Sequence, residues 1–276
     1  MLPVEIDRPD DPRLADYIGL TDPDLRRRIE HEGGRGIFIA EGVLVVRELL
    51  LSSYPLRSVL VTPARYQQLA DVLGAVKAPV YLATRPVMKA VTGFDIHRGA
   101  VASADRLPLP PPAELVHAAT RIAVLEGLND HENLGVLFRN AAAFGIDAVL
   151  MDPTCADPLY RRAVRVSMGH VLRVPFGRLE HWPGGLEELR RAGFDVVALT
   201  PGPNSVEIEE LDRYRHTGRV AVLVGAEGPG LSGGAMAAAS VRARIPMAPG
   251  VDSLNVAAAA AIAFHRIAAP RPSPAL

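Results

Sequence analysis

Short apolar runs alternate with amphipathic stretches along most of the chain. GIFIA (36–40), RSVLVT (57–62), APVYLA (78–83) and GAVASA (99–104) read as strands. Between them, Val43 to Leu51, Arg65 to Val76 and Arg85 to Val91 carry apolar residues at helical spacing. Thr21-Asp22-Pro23 reads as a helix start, a cap residue followed by proline in the first turn, for a helix running to about Glu32. Residues 1–20 show neither period and read as a loose arm. The stretch DRLPLPPPAE (105–114) has four prolines within five residues, which suits a stiff extended linker. Residues 1–104 and 115–270 are therefore expected to form separate domains.

The second domain repeats the alternation. RIAVLEGL (121–128), IDAVLM (146–151), HVLRVPF (170–176), FDVVALT (194–200) and RVAVLVG (219–225) are the apolar runs, and VRARIPM (241–247) is a short alternating strand. Helices are expected from Asn133 to Phe144, after Asp157-Pro158, and from about Leu186 to Arg191. An alanine-rich helix is expected from Asn255 to Ala268. RVAVLVG is continuously apolar, as a strand covered on both faces of a parallel sheet must be. The fold class is therefore α/β.

Composition narrows the function. The 276 residues are 49 % hydrophobic and 22 % charged, an ordinary globular balance. The single cysteine, Cys155, excludes an intramolecular disulfide. The start MLPVEIDRPDD lacks the basic flank and apolar core of a signal peptide, and the longest apolar run, Val256 to Phe264, is short for a membrane span. A cytoplasmic protein without a membrane partner is expected. Net charge is −1, so nucleic acid would be bound by local patches and not by bulk charge. Arg26–Arg28 and the group Arg161, Arg162 and Arg165 are the candidate patches.

Several chemistries have no motif. No G-x-G-x-x-G follows the strand at 121–128, and neither a phosphate loop nor a G-x-S-x-G elbow occurs. His131-Glu132 does not extend to H-E-x-x-H, and no metal is expected. Cys155 with His170 is a weak nucleophile–base pairing. Three other segments end strands, where open α/β sheets place ligands. They are LNDHENLGVLFRNAAAFG (128–145), LVGAEGPGLS (223–232) and IPMAPGVDSLNVAAAAAIAF (245–264).

Together these segments resemble the SpoU (TrmH-like) family of RNA 2′-O-ribose methyltransferases, of the SPOUT class. Asn133, Gly135 and Arg139 match its first motif; Gly225 to Leu231 match the second, G-x-E-G-x-G-L; Ile245–Met247 and Ser253–Val256 match the third. RVSMGH (165–170) looks like its Ser-x-Gly segment. The first domain, with IAEGVLVVREL (39–49), looks like the small ribosomal-protein-like α/β RNA-binding domain that often precedes the catalytic one. Asn140 stands where members commonly carry Thr or Ser.

The resemblance implies a deep trefoil knot in the C-terminal domain, S-adenosylmethionine as cofactor, and a homodimer with its active site completed across the interface. It assigns Asn133, Arg139, Glu227, Ser253 and Asn255 to catalysis, with Glu227 holding Arg139 or another site residue. It assigns Leu199, Thr200, Gly225, Gly228, Gly230, Ile245, Met247 and Leu254 to the cofactor. On it, Arg161, Arg162 and Arg165 lie beside the pocket and bind RNA. Ribosomal RNA is favoured over transfer RNA as substrate. The competing readings are a catalytically inactive RNA-binding or ribosome-assembly factor on this fold, and a Rossmann-like small-molecule enzyme.

Overall fold

The computed structural model describes residues 2–20, 36–94, 96, 99–202 and 204–268. The helix expected at 21–32 and the Arg26–Arg28 cluster lie outside the described residues.

Contacts divide the chain into two compact units, Met1–Pro108 with Pro158–Arg173, and Leu109–Asp157 with Val174–Leu276. The division at 108/109 falls in the proline run. Residues 158–173, expected within the second domain, group with the first. The proline run is also shorter as a linker than expected, because Pro112 opens a helix. Proline is tolerated in a first helical turn, where no N–H partner is lost.

The first unit is built on a five-stranded sheet. Its strands are β1 (Val4–Ile6), β2 (Ile37–Glu41), β3 (Leu56–Val61), β4 (Val80–Ala83) and β5 (Ala100–Asp105), in the order β1-β4-β3-β5-β2. β5 is antiparallel to both β2 and β3, and the remaining pairs are parallel. The helices are α1 (Val43–Leu50), α2 (Pro63–Gln68), α3 (Ala70–Leu73) and α4 (Arg85–Thr92). The expected arm thus contributes an edge strand and a 3₁₀ turn, Pro12–Tyr17. Leu14, Tyr17 and Leu20 are fully buried, which anchors it. The helix expected over 65–76 is broken into α2 and α3 at Leu69.

The second unit is a seven-stranded sheet. Its strands are β6 (Arg121–Glu126), β7 (Ala148–Met151), β8 (Phe176–Arg178), β9 (Phe194–Leu199), β10 (Val206–Glu207), β11 (Arg219–Gly225) and β12 (Val241–Arg244). Their order is β10-β12-β9-β11-β6-β7-β8, and every pairing is parallel. The helices are α5 (Pro112–Ala118), α6 (His131–Phe144), α8 (Gly184–Arg191), α9 (Gly233–Ala238) and α10 (Val256–Ile267); α7 (Arg161–Val166) belongs to the first unit. Val220 to Val224 are buried, as the continuous apolar run requires. One face of the sheet packs Ile122, Val124, Leu150, Val196 and Leu223 against Leu186 and Leu189 of α8. α10 packs along α6 and against β11. HVLRVPF is a 3₁₀ turn (His170–Leu172) followed by β8, not one strand.

Two local constraints hold this unit. Arg219, at the start of β11, donates to the carbonyls of Val116, Ala119 and Ala192 and stacks over the Phe194 ring at 4.2 Å. One guanidinium thereby satisfies orphan carbonyls at the C-terminal ends of α5 and α8, where positive charge is also favoured. At the other end of β11, a Cβ on Gly225 would lie 2.4 Å from the Gly230 carbonyl carbon and 2.6 Å from the Leu231 nitrogen. The loop folds back on itself there, closed by Gly230 N–H donating to the Ala226 carbonyl at 3.0 Å. Only glycine leaves room for that backbone.

Arg219→Ala is expected to destabilise the protein by about 3 kcal/mol, since charged hydrogen bonds contribute roughly 1.5–3 kcal/mol each and partly re-form with water. Arg219→Lys should recover only part of this, and denaturant titration measures both. Gly225→Ala is expected to cost about 1–3 kcal/mol by overpacking. A melting curve superimposing on wild type would refute the close approach.

Candidate functional site

All seven strands of the second unit point the same way, so the loops after β6, β7, β9, β11 and β12 meet at one edge. Such an edge binds ligands where successive connections part. Here β6 has β7 on one side and β11 on the other. Two adjoining cavities occupy this edge.

The first encloses about 700 Å³, within the roughly 300–1,000 Å³ typical of small-molecule pockets. Leu199 and Thr200 line it from the end of β9, and Gly225, Gly228 and Gly230 from the loop after β11. Ile245, Met247 and Leu254 close it from the segment after β12. All eight residues assigned to the cofactor by resemblance therefore face one cavity, as do Glu227, Ser253 and Asn255. The glycine of β11, however, serves the loop's own closure: its Cα faces backbone 230–231.

The second cavity, about 550 Å³, is lined by Glu126, Asp130 and Asn133 after β6, Asp152 and Thr154 after β7, and Ser232. It shares Ala226, Glu227, Gly230 and Val256 with the first.

A hydrogen-bonded line joins the two. Asn255 caps α10, its Oδ1 accepting from Ala257 N–H (3.1 Å) and Ala258 N–H (3.2 Å). Its Nδ2 donates to Glu227 Oε1 at 2.8 Å and to Asn133 Oδ1 at 2.7 Å. Val256 N–H also donates to Glu227 Oε1, at 3.3 Å. Glu227 can only accept, so it fixes which way the Asn255 amide points. That amide in turn takes the oxygen of Asn133 and leaves the Asn133 NH₂ for another acceptor.

Asn133 is held from behind as well. α6 begins at His131, two residues earlier than expected, because Asp130 is the cap and accepts from Asn133 N–H at 2.7 Å. Asn140 lies seven residues on, about two turns, and so shares the Asn133 face. Its Nδ2 donates to the Ala257 carbonyl at 2.8 Å, tying α6 to α10.

Arg139 is placed differently. At roughly 100° per residue it lies about 120° around α6 from Asn133. It is exposed, lines neither cavity, and has no hydrogen-bond or ion-pair partner among the described residues. Glu227 holds Asn255 and the Val256 amide instead of Arg139.

The loop after β7 is scaffolded from within. Asp152 Oδ1 accepts from Gly127 N–H (3.0 Å) and Cys155 N–H (3.0 Å), and Oδ2 from Thr154 (2.7 Å). Burial pushes the Asp152 carboxyl up, but these hydrogen bonds outweigh it and hold it below its ordinary value. Arg178 donates to the carbonyls of Asp152, Pro153, Cys155 and Ala156. Burial, then the Asp152 carboxylate, pushes the Cys155 thiol up to about 12, which leaves it protonated and inert.

Arg161 belongs to the first unit. Its Nη1 donates to Glu41 at 2.8 Å, and its guanidinium lies 4.5 Å from the Phe94 ring centre. Glu41 and Phe94 therefore hold it in place. Arg162 and Arg165 are exposed, Arg165 lying 3.8 Å from Glu41.

The sequence reading missed Glu126, Asp152 and Ser232. A carboxylate or hydroxyl at a strand end carries no periodic signal. Asp130 was missed as well, although an Asp three residues before Asn133 is a cap signal that the sequence carries. Among the described residues, no group of three or more His, Cys, Asp or Glu is placed to hold a metal ion, and no helix is long and apolar enough to cross a membrane.

Residues 120–265 match the SpoU rRNA methylase family. An uncharacterized tRNA/rRNA methyltransferase of Mycobacterium tuberculosis is 50 % identical over 93 % of this chain and 88 % of its own length. The 23S rRNA (guanosine-2′-O-)-methyltransferase RlmB of Coxiella burnetii is 27 % identical over 76 % of this chain and 85 % of its own. The AdoMet-bound rRNA methyltransferase of Sinorhizobium meliloti superposes with a TM-score of 0.76 at 26 % identity, covering 95 % of this chain and 96 % of that one. With the family match spanning the sheet and both cavities, the chain belongs to the SpoU rRNA methylase family of RNA methyltransferases.

Proposed function

We propose that this protein methylates the 2′-hydroxyl of a ribose in ribosomal RNA. The observation that carries the reading is the Glu227–Asn255–Asn133 line, which couples a small-molecule cavity to a second, polar one. S-adenosylmethionine is the cofactor, and the first cavity fits it. Its wall combines apolar side chains (Leu199, Val224, Ile245, Leu254) with main chain exposed by Gly228 and Gly230. That lining can hold a nucleoside without a dinucleotide fingerprint. When bound, the cofactor supplies an electrophilic methyl group on a sulfonium.

The second cavity takes the acceptor ribose. The Asn133 NH₂, its oxygen already engaged, is free to hold the hydroxyl oxygen in line. Positioning of this kind supplies much of the acceleration in a two-reactant transfer. Arg139 stabilises the negative charge that builds on the acceptor oxygen as its proton passes to solvent water, or holds the adjoining phosphate, since arginine is not deprotonated in proteins. Arg139 faces solvent on its own subunit, so it acts in the cavity of a second copy. Ile262 of α10 is also exposed, at 40 %, and joins that dimer face. Ser253 and Asn255 shape the loop before α10. The convergence of 199–201, 224–231 and 245–256 on one cavity supports a C-terminal segment threaded as a trefoil knot. The first unit, with Arg162 and Arg165, binds the RNA.

The 2′-hydroxyl distinguishes RNA from DNA, so DNA should not be a substrate. Mapping 2′-O-methyl groups in total RNA with and without the protein tests the reading. A mark lost from ribosomal RNA is expected; one lost from transfer RNA alone would move the substrate, and no loss would favour a binding factor. Asn133→Ala and Arg139→Ala should each lower kcat about 100-fold, the scale of one oxyanion donor, with cofactor affinity retained in calorimetry. Mixing the two variants should restore part of the activity, because a mixed dimer holds one intact site. Replacing Arg162 and Arg165 with Ala should make the salt dependence of RNA binding shallower by about one per lost phosphate contact. An unchanged slope removes them from the interface.

A further inference from the structure

We infer that Glu126 is a positioning residue that sets the cofactor cavity by clamping the exit of the glycine-rich loop. The inference rests on reading the first cavity as the S-adenosylmethionine site.

Glu126 ends β6, opposite Gly225 in the ladder, and is only 9 % exposed. Among the described residues no cation pairs with it. Its Oε1 accepts from the Trp182 indole N–H at 2.6 Å, and its Oε2 from the Ser232 backbone N–H at 2.8 Å. A buried carboxylate is costly unless its oxygens are hydrogen-bonded, and both are. The two partners can only donate, so a group offering two acceptors at this place is required. Glutamine offers one acceptor and would set an NH₂ against an N–H.

The two bonds have a direct mechanical consequence. The loop leaves the sheet at Gly225 and returns at Ser232, which caps α9 through Ala235 N–H at 3.2 Å. Glu126 therefore holds the loop's exit beside its entry. Between these points the Ala226–Gly230 bond tightens the turn, and Glu227 reaches Asn255. Leu231, next to the clamped residue, is buried in the core and lines the first cavity. If Ser232 shifts, Leu231, Gly230 and Glu227 shift with it. Trp182 steadies the carboxylate from the far side, where neighbouring Pro183 abuts Gly234 of α9.

Calorimetry of the full-length dimer with S-adenosylmethionine tests this, with steady-state methylation and thermal melting in parallel. Glu126→Gln should weaken cofactor binding about tenfold, the scale of one lost charged hydrogen bond, and raise the KM for S-adenosylmethionine in step. Ser232→Pro breaks the same bond from the other end, its ring fitting the Ser232 φ of −64°, and should weaken binding similarly. Ser232→Ala keeps the N–H, and Trp182→Phe keeps the Ser232 bond. Both should bind cofactor like wild type even where their melting temperatures fall. Folded Glu126→Gln or Ser232→Pro with wild-type affinity overturns the clamp, as does a Trp182→Phe variant weakened as much as Glu126→Gln. Ala259→Trp, which fills the first cavity from α10, separates the two readings. If it still binds cofactor normally, the cavity assignment fails; if it alone loses binding, only the clamp fails.

Discussion

The side-chain amide of Asn255 is the joint on which the site depends. It has two donor and two acceptor positions, and all four are used: two by the first turn of α10, one by Glu227, one by Asn133. The carboxylate sets its orientation, because it can accept but not donate. Residues 133, 227 and 255 are thereby brought into one contact from the first turn of one helix, a loop and the cap of another helix. A group that caps a helix and bridges two cavities at once cannot turn without losing both functions.

The cavity beside it follows from a parallel sheet with a tightly folded loop. The loop after β11 is closed by its own backbone, clamped at its exit by Glu126 and fastened to α10 by Glu227. The result is a wall of main-chain groups and small apolar side chains, which can recognise a nucleoside without a phosphate-cradling helix N-terminus. Rigidity matters more than contact number here, since positioned groups lose no further freedom when the reactants arrive.

Arginine in this chain both pairs with carboxylates and collects backbone carbonyls. Arg219 gathers the ends of two helices and Arg178 the turns of the loop after β7. Arg161 is held by Glu41 and Phe94. A planar fork of five donors suits this task better than an ammonium group. It explains how a chain with net charge −1 can carry many arginines without being a bulk polyanion binder.

Period and punctuation determined much of the molecule. The apolar runs, with the alternating one at 241–247, located five of the seven strands of the parallel sheet, because a strand covered on both faces must be largely apolar; the two-residue β10 carries no such run, and the run at 170–176 is a 3₁₀ turn leading into β8. The ordered triplet of Asn133–Arg139, Gly225–Leu231 and Ile245–Val256 gave the family, and the residues it assigned to the cofactor do face one cavity. Tertiary structure alone decided the rest. Residues 158–173 join the first unit through packing on β2, which local pattern does not encode. Arg139 turns away from Asn133 because helix geometry, not proximity in sequence, fixes direction. Glu126, Asp152 and Ser232 became visible only when strands distant in sequence lay side by side. A polar residue at a strand end shows its purpose only through the partner that folding brings to it.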